Sequence, residues 1–109
     1  MRRHELRLDR QALVDLEDIA DDIARRDSPV QAEQVAQRIE QISLSLADSP
    51  NRGSHPHELM EFGNRSFREV PCKPYRIVYR VHEREVVIML IADGRRDMRA
   101  LLARRLLGA

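Results

Sequence analysis

The stretch that most restricts the fold is Val86-Val87-Ile88-Met89-Leu90-Ile91-Ala92, seven consecutive apolar residues between Glu85 and Asp93. Its β-branched content favours a strand. A strand with no polar residue on either side needs apolar cover on both faces of its sheet. The segment is therefore expected at the centre of a sheet, with a layer packed on each face. Two other segments carry the strand period of two: residues 66–70, and residues 75–81, where Tyr75, Ile77, Tyr79 and Val81 alternate with Arg76, Val78 and Arg80. Pro71 and Pro74 break the first connection and His82-Glu83-Arg84 makes the second, which predicts an antiparallel meander. Near the start, Leu6 and Leu8 alternate with Glu5, Arg7 and Asp9, the pattern of a short half-buried strand.

The first cover is helical. Ala12, Leu13, Leu16, Ile19, Ala20 and Ile23 recur at three- and four-residue steps, with Asp15, Asp18, Asp21 and Asp22 assigned to the far side. Asp9 is the expected N-cap, and Arg25 and Arg26 suit the negative end of the helix dipole. Asp27-Ser28-Pro29 stops this helix and starts another, with Ser28 as cap and Pro29 in the first turn. The second helix runs to about Asp48 on a stripe of Val35, Ala36, Ile39, Ile42 and Leu46, and so short a joint predicts an antiparallel hairpin. Residues 51–64 read as a long loop anchored by Leu59, Met60 and Phe62. At the other end, Asp97 caps a short helix carrying Met98, Leu101, Leu102 and Leu106. These four residues suit either of two roles, cover for the second sheet face or contact with a partner. The expectation is one α+β domain over residues 1–109: an N-terminal strand, a helical hairpin on a twisted antiparallel sheet, and a short C-terminal helix.

Composition narrows the class. Apolar residues are 42% and charged residues 34% of the chain, too apolar for disorder and too charged for a membrane protein. Hydrophobicity after Met1-Arg2-Arg3-His4-Glu5 alternates rather than running on, so no signal peptide is read and a cytoplasmic protein is expected. The single cysteine, Cys72, has no disulfide partner and rules out a cysteine-based metal site. His55-Pro56-His57 is too short a pattern for a metal, and no metal or cofactor is expected. The net charge of +1 conceals an asymmetry. Residues 1–64 hold 8 cations and 13 acids, whereas residues 65–109 hold 11 cations and 5 acids. Such a division suggests a basic surface facing a polyanion or an acidic partner. Eighteen of the nineteen cations are arginine, which pairs bidentately with phosphate and carboxylate.

The joints of this arrangement carry motifs. They are Ala12-Leu13-Val14-Asp15-Leu16-Glu17-Asp18-Ile19-Ala20-Asp21-Asp22-Ile23-Ala24 in the first helix, Ser49-Pro50-Asn51-Arg52-Gly53 after the second, Phe67-Arg68-Glu69-Val70, Tyr75-Arg76-Ile77-Val78-Tyr79-Arg80-Val81, and Asp93-Gly94-Arg95-Arg96-Asp97. In this order and spacing, from Leu8 to about Asp97, the chain resembles the RelE/ParE toxins of bacterial type II toxin–antitoxin modules, which serve in plasmid stabilisation. The resemblance implies a cognate antitoxin that wraps and neutralises the toxin in a hetero-oligomer. It also implies one of two targets: messenger RNA cut in the ribosome for RelE-like members, or DNA gyrase for ParE-like ones.

RNA cleavage by the 2′-hydroxyl needs a proton acceptor, cations for the phosphorane and a donor to the leaving oxygen. The RelE-like pattern implies arginines at Arg76 and Arg96, lysines at positions that fall on Arg68 and Val70, and a tyrosine at a position that falls on Leu102. Both arginines are kept, but Val70 and Leu102 have lost the chemistry. The reading is a ParE-like toxin that inhibits gyrase by binding, through Arg68, Arg76, Arg95, Arg96, Met98, Leu101 and Leu102 as contacts to target or antitoxin. The alternative is a ribosome-dependent messenger RNA endonuclease with Arg68, Arg76 and Arg96 on the phosphate. A third reading is a decayed toxin that only pairs with its antitoxin.

Overall fold

The computed structural model describes residues 3–108. The reading of the Met1-Arg2 start as free of a signal peptide lies outside these residues. The element order is β1 (Glu5–Leu8), α1 (Arg10–Arg26), α2 (Pro29–Asp48), α3 (His57–Met60), β2 (Arg68–Cys72), β3 (Tyr75–His82), β4 (Glu85–Asp93) and α4 (Met98–Leu106). The caps are those expected: the carboxylate of Asp9 accepts from the Gln11 N–H, the hydroxyl of Ser28 from the Gln31 N–H, and the carboxylate of Asp97 from the Ala100 N–H.

One four-stranded sheet has the order β1-β4-β3-β2, with the apolar β4 inside it. β2, β3 and β4 form the expected antiparallel meander, but β1 pairs with β4 in parallel, so the sheet is mixed. The reason is topological. The chain leaves β1 through the helical layer and re-enters the sheet at β2, on the opposite edge; two antiparallel reversals, through β3, then bring β4 back beside β1 in the same direction. β2 also continues through Pro71 to Cys72, past the expected break. As the outermost strand, it tolerates a residue with no N–H to donate.

The two faces of β4 are covered by different layers. Val86, Ile88 and Ile91 join Ile77, Tyr79, Val70 and Cys72 under α1 and α2, with Ala12, Ile23, Val35, Ile39 and Leu46 packed against them. Leu90 and Ala92 join Val78 on the other face, under Leu59, Phe67, Met98, Leu101 and Leu102. Residues 51–64, expected to be loop throughout, contain the single turn α3, whose Leu59 is fully buried. The register of β3 on β4 shifts between Val78 and Tyr79, where Met89 is the extra residue in β4.

Both sheet edges are blunted. Beside β2, Ser54 and Glu69 exchange backbone hydrogen bonds of 3.1 and 2.7 Å. β1 is only four residues long and pairs no further along β4 than Ile88. Beyond that point side chains take over: Asp15 accepts from the Ile91 N–H at 3.0 Å, and Arg105 donates to the Met89 carbonyl at 3.3 Å. Two further bonds of 3.0 Å join Arg105 to Asp15. Asp15 therefore faces the sheet rather than the solvent side of α1 to which its spacing assigned it.

Candidate functional site

Residues opposite each other in an antiparallel pair share a face, and neighbours along a strand alternate. Arg68 lies opposite Tyr79, whose ring is in the core beneath the helical hairpin. Arg76 is two residues from Val78, which packs in the core on the other face. The two arginines therefore leave opposite sides of the sheet. Arg68 donates to the carbonyls of Asn51 and Gly53 at 3.2 and 2.7 Å and so pins the loop after α2. The same loop is held by Tyr79, whose hydroxyl donates to the Pro50 carbonyl and accepts from the Gly53 N–H.

Arg76 is enclosed by acids. It donates to both oxygens of Glu58 at 2.7 and 2.8 Å and to Glu69 at 2.5 Å. The guanidinium hydrogen-bonded to Glu58 holds that carboxyl down at about 2, and in turn Glu58 and Glu69 raise the pKa of Arg76. A carboxylate so acidic is a poor proton acceptor near neutrality, and a guanidinium with two carboxylates on it has little left to offer a phosphate. Glu69 is the kind of cross-strand partner that an arginine on a strand face finds; Glu58 is the acid that sequence reasoning missed. Glu58 lies in a stretch read as loop, and its partner is 18 residues away.

Arg95 and Arg96 follow β4. Arg95 folds back on Asp93, donating at 3.0 and 2.6 Å, and this pairing holds the Asp93 carboxyl at about 2. Arg96 is exposed and lines a cavity of about 200 Å³ with Asp15, Asp18, Asp22, Asp93, Arg26 and Tyr75. Four aspartates in the wall make this a poor seat for a phosphate, and Arg76 is not among the lining residues. Arg68, Arg76 and Arg96 thus have three different sets of neighbours, with no partner in common and no shared cavity among the described residues.

Met98, Leu101 and Leu102, expected as contacts to target or antitoxin, are buried against the chain's own sheet. Of the two roles open to them, the structure shows the packing one. β4 is apolar on both faces and α4 supplies the second cover.

Exposed apolar surface lies elsewhere. Leu6 and Leu8 of β1, Leu13 and Leu16 of α1, and Ile39, Ser43 and Leu44 of α2 line an open groove of about 350 Å³, with Glu40 as its charged member. Leu13 and Leu44 are about half exposed. Helix periodicity had assigned Leu13 to the core. It stands one residue beyond Ala12, about 100° round the helix, and so faces the groove.

Two solved structures share this architecture. One is the chromosomal ParDE toxin–antitoxin system from P. aeruginosa: TM-score 0.68, 23% identity, covering 83% of this chain and 95% of that one. The other is the RelBE2 toxin–antitoxin complex from Mycobacterium tuberculosis: TM-score 0.62, 16% identity, covering 84% and 98%. Among curated proteins the search finds no match. The family model described as the ParE toxin of the type II toxin–antitoxin system parDE matches residues 6–98. That span includes the hairpin, all of the sheet but Glu5 and the first residue of α4, and on it the chain belongs to the ParE toxin family of type II toxin–antitoxin systems.

Proposed function

We propose that this chain is a toxin that acts by binding DNA gyrase and blocking replication, without cutting RNA, and that a cognate antitoxin holds it inactive in the cytoplasm. The observation that carries this reading is the dispersal of the three arginines. A nuclease would need Arg68, Arg76 and Arg96 to converge on one phosphate beside a group able to take a proton. Here Arg68 holds a loop, Arg76 is neutralised by Glu58 and Glu69, and Arg96 stands in an acidic cavity. Membership of the ParE family supports gyrase over the ribosome as the target.

The apolar groove between β1 and the hairpin is the seat we assign to the antitoxin. An amphipathic helix placing leucine-sized side chains at three- and four-residue steps matches its lining. Arg95 and Arg96, both exposed, remain as polar contacts at the end of β4.

Two assays run side by side test the reading: supercoiling by purified gyrase, and cleavage of messenger RNA in a translating extract. Supercoiling is expected to fall with added protein while transcripts stay whole. Intact supercoiling with cut transcripts would assign the protein to the endonuclease class.

A further inference from the structure

The exposed large apolar residues fall into two groups. Leu13, Val14, Val30 and Leu44 lie on the hairpin, whereas Met60 and Phe62 lie on the opposite side of the sheet, at the turn after α3. Met60 is 39% exposed and Phe62 49%. Phe67 and Tyr79 are buried and Tyr75 only half-buried, so Phe62 is the one aromatic ring presented openly among the described residues.

The turn is firmly mounted. Leu59 is fully buried in the core beneath α4, and Glu58 is bonded to Arg76. The N–H groups of Phe62 and Asn64 both donate to the Leu59 carbonyl, and that of Gly63 donates to the Met60 carbonyl. Gly63 supplies the positive φ of +73° that the reversal requires. Above the ring of Phe62 sits the guanidinium of Arg99, 5.3 Å from the ring centre and 2.8 Å from Glu61. A half-exposed aromatic ring, a methionine and a stacked arginine on a rigid support are the residue types that dominate protein–protein interfaces. An isolated exposed leucine would mean nothing, but here the group is preorganised.

The charge around it indicates the partner's chemistry. The segments flanking this turn and α4 expose Arg65, Arg99 and Arg104, and β3 exposes Arg80, which by alternation shares the face of Val78. Of these, only Arg99 has a carboxylate within ion-pair distance among the described residues, and Glu61 and Asp97 are the exposed acids beside them. We infer that the Met60–Phe62–Arg99 turn is a second protein-docking surface, separate from the groove, and that it takes an acidic patch on the protein the toxin acts against. Opposed charge speeds such an encounter and fixes its orientation, while Phe62 supplies the apolar anchor. The inference rests on the reading of this chain as a toxin that binds a protein, and it does not require that protein to be gyrase.

The experiment uses full-length chains carrying Phe62→Ala with Arg99→Ala, and separately Arg99→Glu, induced without antitoxin and co-expressed with it. Phe62 and Arg99 are both surface residues, so the melting temperatures should stay close to the parent's and show that the variants fold. The double variant is expected to lose at least tenfold in growth inhibition, and Arg99→Glu at least as much, while both still co-purify with the antitoxin. Undiminished growth inhibition, failure to co-purify, or a parent chain that does not arrest growth would each overturn the inference. A parent chain that arrests growth but leaves gyrase untouched would instead overturn the choice of target and leave this surface to be judged by the variants.

Discussion

At the scale of single residues, the triad of Glu58, Arg76 and Glu69 decides how the chemistry is read. Its charges are mostly shielded, with Arg76 and Glu58 side chains 18% and 11% exposed. Glu58→Gln would leave Arg76 paired with Glu69 alone and replace one of the two carboxylate oxygens it donates to by an amide NH2. It is expected to cost about 1–3 kcal/mol in unfolding free energy, measured by urea denaturation at pH 7. The pH dependence has a fixed sign. Glu58 titrates lower in the folded chain than its ordinary value of 4.5, so its contribution is complete above that pH and is lost as the pH falls towards about 2. In Glu58→Gln this part of the acid transition should be absent. A second residue-scale prediction concerns Gly53, where an added Cβ would lie 2.6 Å from the Tyr79 hydroxyl and 2.7 Å from the Glu69 carbonyl oxygen. Both neighbours are fixed in hydrogen bonds, so Gly53→Ala should cost roughly 1–3 kcal/mol, readable as a lower melting temperature. The strand pattern made Glu69, seven residues from Arg76 in the next strand, a legible partner, but not Glu58, which is 18 residues away in a stretch read as loop.

At the scale of elements, local signals were legible and long-range ones were not. Helix bounds and caps are set by Asp9, Ser28, Pro29 and Asp97 within a turn of where they act, so the sequence states them directly. The doubly apolar β4 announced that two layers must cover it. That α4 is the second layer, rather than a partner, depended on whether the Met98, Leu101 and Leu102 stripe reaches Leu90 and Val78, which spacing alone does not say. Asp15 was misassigned for a similar reason: its role exists only because β1 ends four residues in, leaving the rest of β4 without a strand neighbour. Asp15 and Arg105 together close that edge and tie α1 to α4. Asp15→Asn keeps an acceptor for the Ile91 N–H but leaves Arg105 half-satisfied, whereas Asp15→Leu removes both. We expect losses of about 1–2 and about 3–5 kcal/mol respectively, by denaturant midpoint. Adding Arg105→Met to Asp15→Leu should recover part of the larger loss.

At the scale of the whole molecule, the sheet separates two surfaces of different character. On the hairpin side an apolar groove runs between β1, α1 and α2; on the α4 side an exposed phenylalanine carries Arg99 over its ring. The asymmetry of charge along the chain foretold the second surface in part: β2, β3, β4 and α4 come from the cationic half, whereas Met60 and Phe62 do not. It did not foretell the groove, whose Leu13 and Leu16 read as core and whose Leu44 lies off the apolar stripe of α2. Leu13 and Leu44 are already half covered, so closing the rest of each under an antitoxin is worth about 1 kcal/mol, and an aspartate in its place would be buried there without a partner. Leu13→Asp with Leu44→Asp should therefore weaken antitoxin binding by at least 100-fold in a titration while leaving growth inhibition intact. The central claim is that this toxin grips its target and does not cut RNA. Its most direct test is to induce the chain without antitoxin and, in the same cells, to map transcript ends and gyrase-linked DNA breaks. The account predicts an accumulation of DNA breaks with transcripts of native length. Transcripts cut within codons, and restored to full length by Arg96→Ala, would contradict it.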